Sequence, residues 1–272
     1  MTTGLLVSSA NHLLGRSSSQ EATVRSAHKK AFSLIQERRL ADHAMMVGIP
    51  TRRRTELFSL LLALHRSIYA LDIYGEEHWW IQPQRLHELW AEISHVVRRL
   101  GVSEGDERVM LADLRAYQDL ELKMRDGILP LKEPIIDTYF LKTADVRLAR
   151  SIIKTWGIAP TTEVGWQFYD LLCEVCDDLT DLAEDATSYN FNRVALECSA
   201  RGHQDACRVY EELVDEVVRL ASESFDGRHC DHASALVLTW IRSKAADAKR
   251  LVRALAPSVA IPLLCNASPL CA

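Results

Sequence analysis

The chain has 272 residues, of which 48% are hydrophobic and 25% are charged. This composition is typical of a globular protein with a large apolar core. The formal net charge of −5 gives no reason to expect a nucleic-acid partner. No apolar run approaches the length needed to span a bilayer, so no transmembrane segment is predicted.

The cysteines indicate the compartment. There are seven, all from Cys173 onward, and an odd number without a secretion signal favours free thiols in a reducing, cytoplasmic environment. Cys173 and Cys176 form a C-x-x-C pair inside a helical pattern, with no second pair at zinc spacing. We therefore expect both to be small buried hydrophobic side chains.

In chain order, the apolar spacing is helical nearly throughout and no alternating run indicates a strand, so the fold is predicted to be all-α. Residues 1–20 are expected to be a flexible tail and residues 257–272 a C-terminal tail. Residues 21–256 are expected to form one domain of about nine or ten helices. Glycine, proline and capping residues place these helices at about Glu21–Met46, Thr51–Trp79, Pro83–Leu100, Ser103–Asp126, Ile135–Leu141, Ala144–Trp156, an acidic helix that contains Trp166–Asn192 and is capped at Thr161 or Thr162, Arg193–Ser222 and His232–Leu255.

The acidic helix has two faces. One is an apolar stripe, and the other carries seven acids, Asp170, Glu174, Asp177, Asp178, Asp181, Glu184 and Asp185. No Lys or Arg occurs from Thr155 to Asn192, so the repulsion between acids one turn apart is left uncompensated within the helix. Carboxylates at this spacing are ligands that Mg²⁺ accepts. The alternative is that they form the solvated face of an amphipathic helix.

A second acidic position lies on the helix that begins near Thr51. That helix is apolar nearly all round from Leu57 to Leu64, which predicts a buried helix. It continues to Asp72 and Glu76, one turn apart, with Tyr69 one turn before Asp72. The alternative is that Asp72 pairs with Arg66 or another basic residue and that Glu76 lies at an exposed end.

Two acid-bearing helices that face each other across an apolar bundle would hold metal ions over an apolar cavity. Ionisation of an allylic diphosphate needs both features, since metal ions neutralise the leaving group and an apolar pocket keeps water from the carbocation. Aromatic rings can stabilise that cation; the candidates are Tyr69, Trp156, Trp166, Phe168 and Tyr169, and the alternative for each is ordinary core packing.

These residues resemble a known family. The run DLAEDA, Asp181–Ala186, resembles the second aspartate-rich motif of squalene and phytoene synthases, which Asp181, Glu184 and Asp185 match position by position. The run DIYGE is similar to their first motif, with Glu76 in place of the second Asp. The stretch CDDLTDLAED…NFN also resembles bacterial terpene synthases of the tetraprenyl-curcumene synthase type, in which an Asn-Phe pair follows the acidic helix.

The resemblance implies a class I isoprenoid synthase fold, Mg²⁺ and a prenyl diphosphate substrate. It implies catalytic roles for Asp72, Asp178 and Asp181, with Glu76, Asp177, Glu184 and Asp185 as further metal ligands. Arg193 is the expected diphosphate contact, and Tyr69, Trp166 and Phe168 are the expected substrate contacts. We expect a terpene synthase, for which a homodimer is one possible state of assembly. The alternatives are a prenyl-coupling transferase and a non-enzymatic helical adaptor with an acidic face.

Overall fold

The structure is a computed structural model that describes residues 27–78, 80–125, 132–158, 163–188, 190–225 and 232–255. Every regular element within these ranges is an α-helix, which confirms the prediction of an all-α chain. The helices are residues 27–37 (α1), Leu40–Met46 (α2), Thr51–Glu77 (α3), Pro83–Arg99 (α4), Glu104–Met110 (α5), Ala112–Arg125 (α6), Ile135–Lys142 (α7), Ala144–Trp156 (α8), Glu163–Ser188 (α9), Arg193–Arg201 (α10), His203–Phe225 (α11) and His232–Ala254 (α12).

Three predicted helices are each divided in two. The helix predicted from Glu21 to Met46 is interrupted between α1 and α2, where Arg39 has a positive φ of 52°. The helix predicted from Ser103 to Asp126 is interrupted at Leu111, between α5 and α6. The helix predicted from Arg193 to Ser222 is interrupted by Gly202, whose φ of 83° and ψ of 158° cannot continue a helix. The predicted start at Glu21, both tails and the predicted caps of the acidic helix lie outside the described residues.

The helices pack as two compact units. Among the described residues, the first unit comprises residues 27–45 and Ile49–Glu107, and the second comprises Met46–Gly48 and residues 108–255, with the gaps given above. That residues 21–256 form a single domain stays a prediction.

In the first unit, α3 packs against α4. The two helices bury apolar side chains that include Leu57, Leu61, Leu64, Trp90 and Ile93. By length and composition alone α3 could cross a membrane, a test that core helices of soluble proteins also pass, and 44% of its most apolar window is buried within the protein.

In the second unit, α9 is the central helix and packs against α7, α10, α11 and α12. Its apolar stripe, which includes Cys173 and Cys176, belongs to a buried core shared with α11 and α12. Both thiols are free and buried, as predicted. Gly165 permits this close packing, because a Cβ at this position would overlap the ring of Phe225.

Candidate functional site: the acidic face of α9

The first part of the acidic face lies inside the second unit. Asp170 is fully buried and accepts two hydrogen bonds from Arg150 on α8, at 2.6 Å from Nε and 2.7 Å from Nη2. The Arg150 guanidinium also stacks 4.1 Å from the ring of Trp166, which is itself only 2% exposed. Trp166, a predicted substrate contact, therefore packs in the core against a buried ion pair.

Asp178 is the centre of a second buried network. The residue is only 1% exposed. Its Oδ2 accepts hydrogen bonds from the Tyr139 hydroxyl and from the backbone N–H of Arg193, both at 2.9 Å. The Lys142 ammonium binds the other oxygen, Oδ1. The Tyr139 hydroxyl is also 3.0 Å from the Tyr210 hydroxyl, so Asp178 and Tyr139 together connect α7, α9, α10 and α11.

The charges of this network are set by burial and by the carboxylates. Burial lowers the pKa of Lys142, but Asp178 and Glu174 raise it by more, so its pKa lies above the ordinary value and the side chain stays a cation. Burial, followed by the charge of Asp178, raises the pKa of Tyr139 well above its usual value. Burial raises that of Tyr210 in the same way. Both hydroxyls therefore keep their protons and can donate hydrogen bonds.

The repulsion that is left uncompensated within α9 is compensated from outside the helix at Asp170 and Asp178. Their counter-charges come from neighbouring helices, Arg150 on α8 and Lys142 on α7, rather than from α9 itself. The sequence holds one signal of this pairing. Arg150 falls on the buried face of α8, between Val146 and Ile153 at helical spacing, where an arginine needs an acidic partner.

Arg193 is held inside the protein. The residue is 1% exposed. Its guanidinium donates to Glu197 Oε1 at 2.7 and 3.0 Å, to Thr138 Oγ1 at 3.1 Å and to the Glu133 carbonyl at 3.1 Å. These contacts join the start of α7 to α10. Its predicted role as a diphosphate contact stays a prediction.

The second part of the acidic face lies at the surface. Asp181 and Glu184 are exposed, and Asp177 and Asp185 are half-buried. Partial burial and then the charges of Asp185, Asp177 and Glu184 raise the pKa of Asp181, whereas the charge of Lys142 lowers it. Here the predicted repulsion between neighbouring carboxylates is present.

The chain between α9 and α10 is tied back to this surface. The Asn192 side chain donates from Nδ2 to the Asp185 carboxylate at 2.8 Å and to the Asp178 carbonyl at 2.7 Å. Its Oδ1 accepts from the backbone N–H of Ala195 at 3.0 Å and so caps α10. Sequence reasoning missed Asn192, although Asn is a common residue at the start of a helix.

An aromatic pair joins α6 to the chain between α9 and α10. The half-buried rings of Tyr117 and Phe191 are 6.4 Å apart, and the Lys142 ammonium is 6.0 Å from the Phe191 ring centre. Phe168, a predicted substrate contact, is half-buried and packs against the apolar core.

The remaining predicted site residues lie on α3 in the first unit. Tyr69 and Asp72 are half-buried and Glu76 is exposed. All three have interactions within the protein. The expectation that they face the acids of α9 across a cavity stays a prediction.

Mg²⁺ fits this surface only as an ion shared with a ligand. Among the described residues, no three His, Cys, Asp or Glu side chains form a group that could hold a metal ion. Mg²⁺ does not require such a cage, because it is usually bound by one or two carboxylates together with phosphate oxygens and water. Asp181 and Asp185, one turn apart on α9, are a donor pair of this kind.

Comparison of the chain with models of protein families, with curated proteins and with solved structures found no match. The class that the described residues define is therefore an all-α protein with an acidic surface on its central buried helix. Its membership of the isoprenoid synthases is a proposal.

Proposed function

We propose that the chain is a Mg²⁺-dependent class I terpene synthase, which ionises a prenyl diphosphate and directs the carbocation to a terpene product. One observation carries the proposal: Arg150 and Lys142 on neighbouring helices neutralise Asp170 and Asp178 in the buried half of α9, whereas Asp181, whose pKa is raised by burial and by Asp185, Asp177 and Glu184, lies at the surface. Such a concentration of negative charge favours a cation. The DLAEDA motif, which resembles that of squalene and phytoene synthases, occupies this part of the helix.

In this proposal, Asp181 and Asp185 bind the cation, and Asp177 and Glu184 add to the negative field around it. Mg²⁺ supplies the positive charge that stabilises the leaving diphosphate. The Asp178 carboxylate binds Lys142, Tyr139 and the backbone N–H of Arg193, so this proposal assigns it a positioning role; its direct contact with the metal stays a prediction. The carboxylate fixes the position of α9 at the point where the surface acids begin.

Thermal unfolding with Mg²⁺ and inorganic pyrophosphate tests the site. A ligand that binds only the folded state raises the free energy of unfolding, by about 2.7 kcal/mol at a concentration 100 times its Kd. The midpoint of thermal unfolding rises as a result. We expect Mg²⁺ and pyrophosphate together to raise the midpoint of the wild-type chain, and we expect Asp181→Asn to remove most of that increase. Asp247→Asn, which removes an acid on α12 that pairs with Arg250, should leave the increase unchanged.

Products from one labelled prenyl diphosphate identify the reaction. A terpene released only by the wild-type chain with Mg²⁺ supports the terpene synthase, whereas a chain of doubled length indicates the prenyl-coupling transferase. If the midpoint does not respond to Mg²⁺ and pyrophosphate and no product forms, the proposal fails. The exposed acids of α9 would then favour the adaptor, whose acidic face meets a basic partner.

A further inference from the structure

We propose that the basic segment, residues 27–54, binds an anionic lipid surface, with its exposed cations at the headgroups and Phe32 inserted among the lipid chains. The inference is independent of the proposed function, because it uses no residue of α9. It describes a chain that lies on a membrane surface through α1, α2 and the start of α3.

The basic segment has a charge opposite to that of the whole chain. It contains seven Lys or Arg and two acids, a net charge of +5, in a chain whose net charge is −5. One of the two acids, Asp42, is already paired with Arg39 at 3.0 Å. Salt screens exposed charges beyond about 8 Å at physiological ionic strength, so an approaching surface meets the local excess of cations. The exposed cations of the segment are Lys29, Lys30, Arg52 and Arg53.

The cations at the start of α3 are not placed to stabilise that helix. Its first turn contains Arg52, Arg53 and Arg54 and no acid, although the partial positive charge of a helix N-terminus favours acids there. Arg54 donates to the Ile49 carbonyl at 2.7 Å and so holds the turn before the helix. Arg52 and Arg53 are exposed, and an anionic surface would offset the repulsion between them.

An aromatic side chain lies beside the cations of α1. The buried side of this helix contains Ala27, Ala31 and Leu34, and helical spacing places Lys29 and Phe32 on the opposite side, one turn apart. Phe32 is 52% exposed, so its removal from water into an apolar phase would be favourable. Lysines next to an exposed aromatic side chain are typical of segments that bind at a membrane surface.

The apolar side chains favour a lipid surface over a nucleic acid. Both partners present phosphates to cations, but a bilayer also provides an apolar phase beneath them. A single-stranded nucleic acid can stack a base on an aromatic ring such as Phe32, whereas Met45, which is 50% exposed near the end of α2, has no ring for such stacking. Lipid chains accept both side chains.

Co-sedimentation of the full chain with lipid vesicles tests the proposal. We expect the wild-type chain to bind vesicles of phosphatidylcholine and phosphatidylserine at about 2:1, whose surface is anionic, and to bind pure phosphatidylcholine much more weakly. Raising the salt from about 0.1 M to about 1 M shortens the Debye length from about 10 Å to about 3 Å and should release the protein. Equal binding to both kinds of vesicle, or binding to neither, would overturn the proposal.

Two double variants measure the contribution of the cations. Each cation at an anionic bilayer changes the partition coefficient about fivefold, so we expect a loss of about 25-fold from Lys29→Gln with Lys30→Gln. A similar loss is expected from Arg52→Gln with Arg53→Gln, and this pair decides the question if the first does not fold.

Arg250→Gln with Arg253→Gln is the matched control for both pairs. It removes the same charge from α12, where each arginine already binds an acid, and should change the partition coefficient about twofold or less. A loss in this control equal to that of the other pairs would show that the basic segment is not the surface that binds.

Phe32→Ser tests insertion into the lipid. It leaves every charge in place, and we expect it to lower the partition coefficient about fivefold or more, because an apolar side chain no longer leaves water. The control is Val109→Ser, at a residue that is 75% exposed on α5, whose first turn is acidic; this variant should bind like the wild type. Wild-type affinity of Phe32→Ser, or binding of single-stranded RNA in place of anionic vesicles, would overturn the proposal.

Discussion

Lys142 carries the positive charge on which two buried carboxylates depend. Its ammonium binds Asp178 and lies 3.9 Å from Glu174, and its side chain is only 14% exposed. Removing one partner of a buried ion pair is far more costly than removing the pair, because it leaves an uncompensated charge in the protein interior.

We therefore expect Lys142→Met to lower the free energy of unfolding by about 3 kcal/mol or more, measured by chemical denaturation at pH 7. Adding Asp178→Asn should restore part of the loss, because the amide carries no charge that needs a counter-ion. Lys249→Met is the control: Lys249 binds Asp215 at 2.5 Å, but Asp215 is 68% exposed, and such surface pairs contribute about 0–1 kcal/mol. An equal loss in the two single variants would contradict this account of Lys142.

The contribution of Asp181 to folding stability is expected to depend on pH with the opposite sign from that of a salt-bridged acid. Its pKa in the folded protein is raised, so its contribution to stability is full below the unfolded pKa and is lost as the pH rises through the folded pKa. At pH 7 the ionised side chain is repelled by its neighbours. We expect Asp181→Asn to raise the unfolding midpoint of the metal-free protein at pH 7, and we expect this gain to disappear as the pH falls to about 4.

The control for this prediction is an acid that has a cationic partner. Asp113 accepts a hydrogen bond from Arg147 at 2.6 Å, so Asp113→Asn should lower the midpoint or leave it unchanged at pH 7. A fall in the midpoint of Asp181→Asn at pH 7 without metal would show that the surface acids do not repel one another.

At the scale of the element, the acids of α9 are buried in one part of the helix and lie at the surface in another. The helix packs against other helices of the second unit, and its buried acids Asp170 and Asp178 are paired with Arg150 and Lys142. Its last two turns bring acids to the surface, where Asn192 holds Asp185. One helical pattern thus contains both a buried polar core and an exposed acidic surface.

The junction of α10 and α11 depends on Gly202. Its φ of 83° and ψ of 158° lie in a region that is essentially limited to glycine, and other residues there cost about 1–3 kcal/mol. A Cβ at Gly202 would meet nothing within 4 Å, so the cost comes from the backbone alone. We expect Gly202→Ala to lower the free energy of unfolding by this amount in chemical denaturation.

Gly105→Ala is the matched control for that prediction. Gly105 lies in α5 with no positive φ, and the nearest atom to an added Cβ is Ser103 Oγ at 3.9 Å. Alanine favours a helix over glycine by about 1 kcal/mol in helix interiors, so this variant should be as stable as the wild type or more stable. Equal destabilisation by both substitutions would rule out the backbone explanation at Gly202.

At the scale of the whole molecule, the chain forms two compact helical units. The second unit contains the acidic surface, the Asp178 network and the cations that neutralise its buried acids. The first unit contains Asp72 and Glu76 on α3. The proposed function needs Asp181 and Asp185 of the second unit for cation binding, and the unfolding test of that binding uses the full chain.

Much of the helical architecture was determined by the sequence itself. The helices α3, α4, α8 and α12 begin and end within two residues of their predicted bounds, because prolines, glycines and apolar periodicity are local signals. The breaks at Arg39 and Gly202 were missed, because both depend on a positive φ that apolar spacing does not report. The burial of Cys173 and Cys176 was predicted, since they lie on the apolar stripe of α9.

Only the tertiary structure decided which acids of α9 are neutralised and which are exposed. Lys142 is 36 residues from Asp178, and Arg150 is 20 residues from Asp170. Helical periodicity predicts which residues share one face of a helix, but it does not predict which other helix packs against that face. The charge on a face therefore becomes known only when α7 and α8 are placed beside α9, since an ion pair depends on distance in space rather than on distance along the chain.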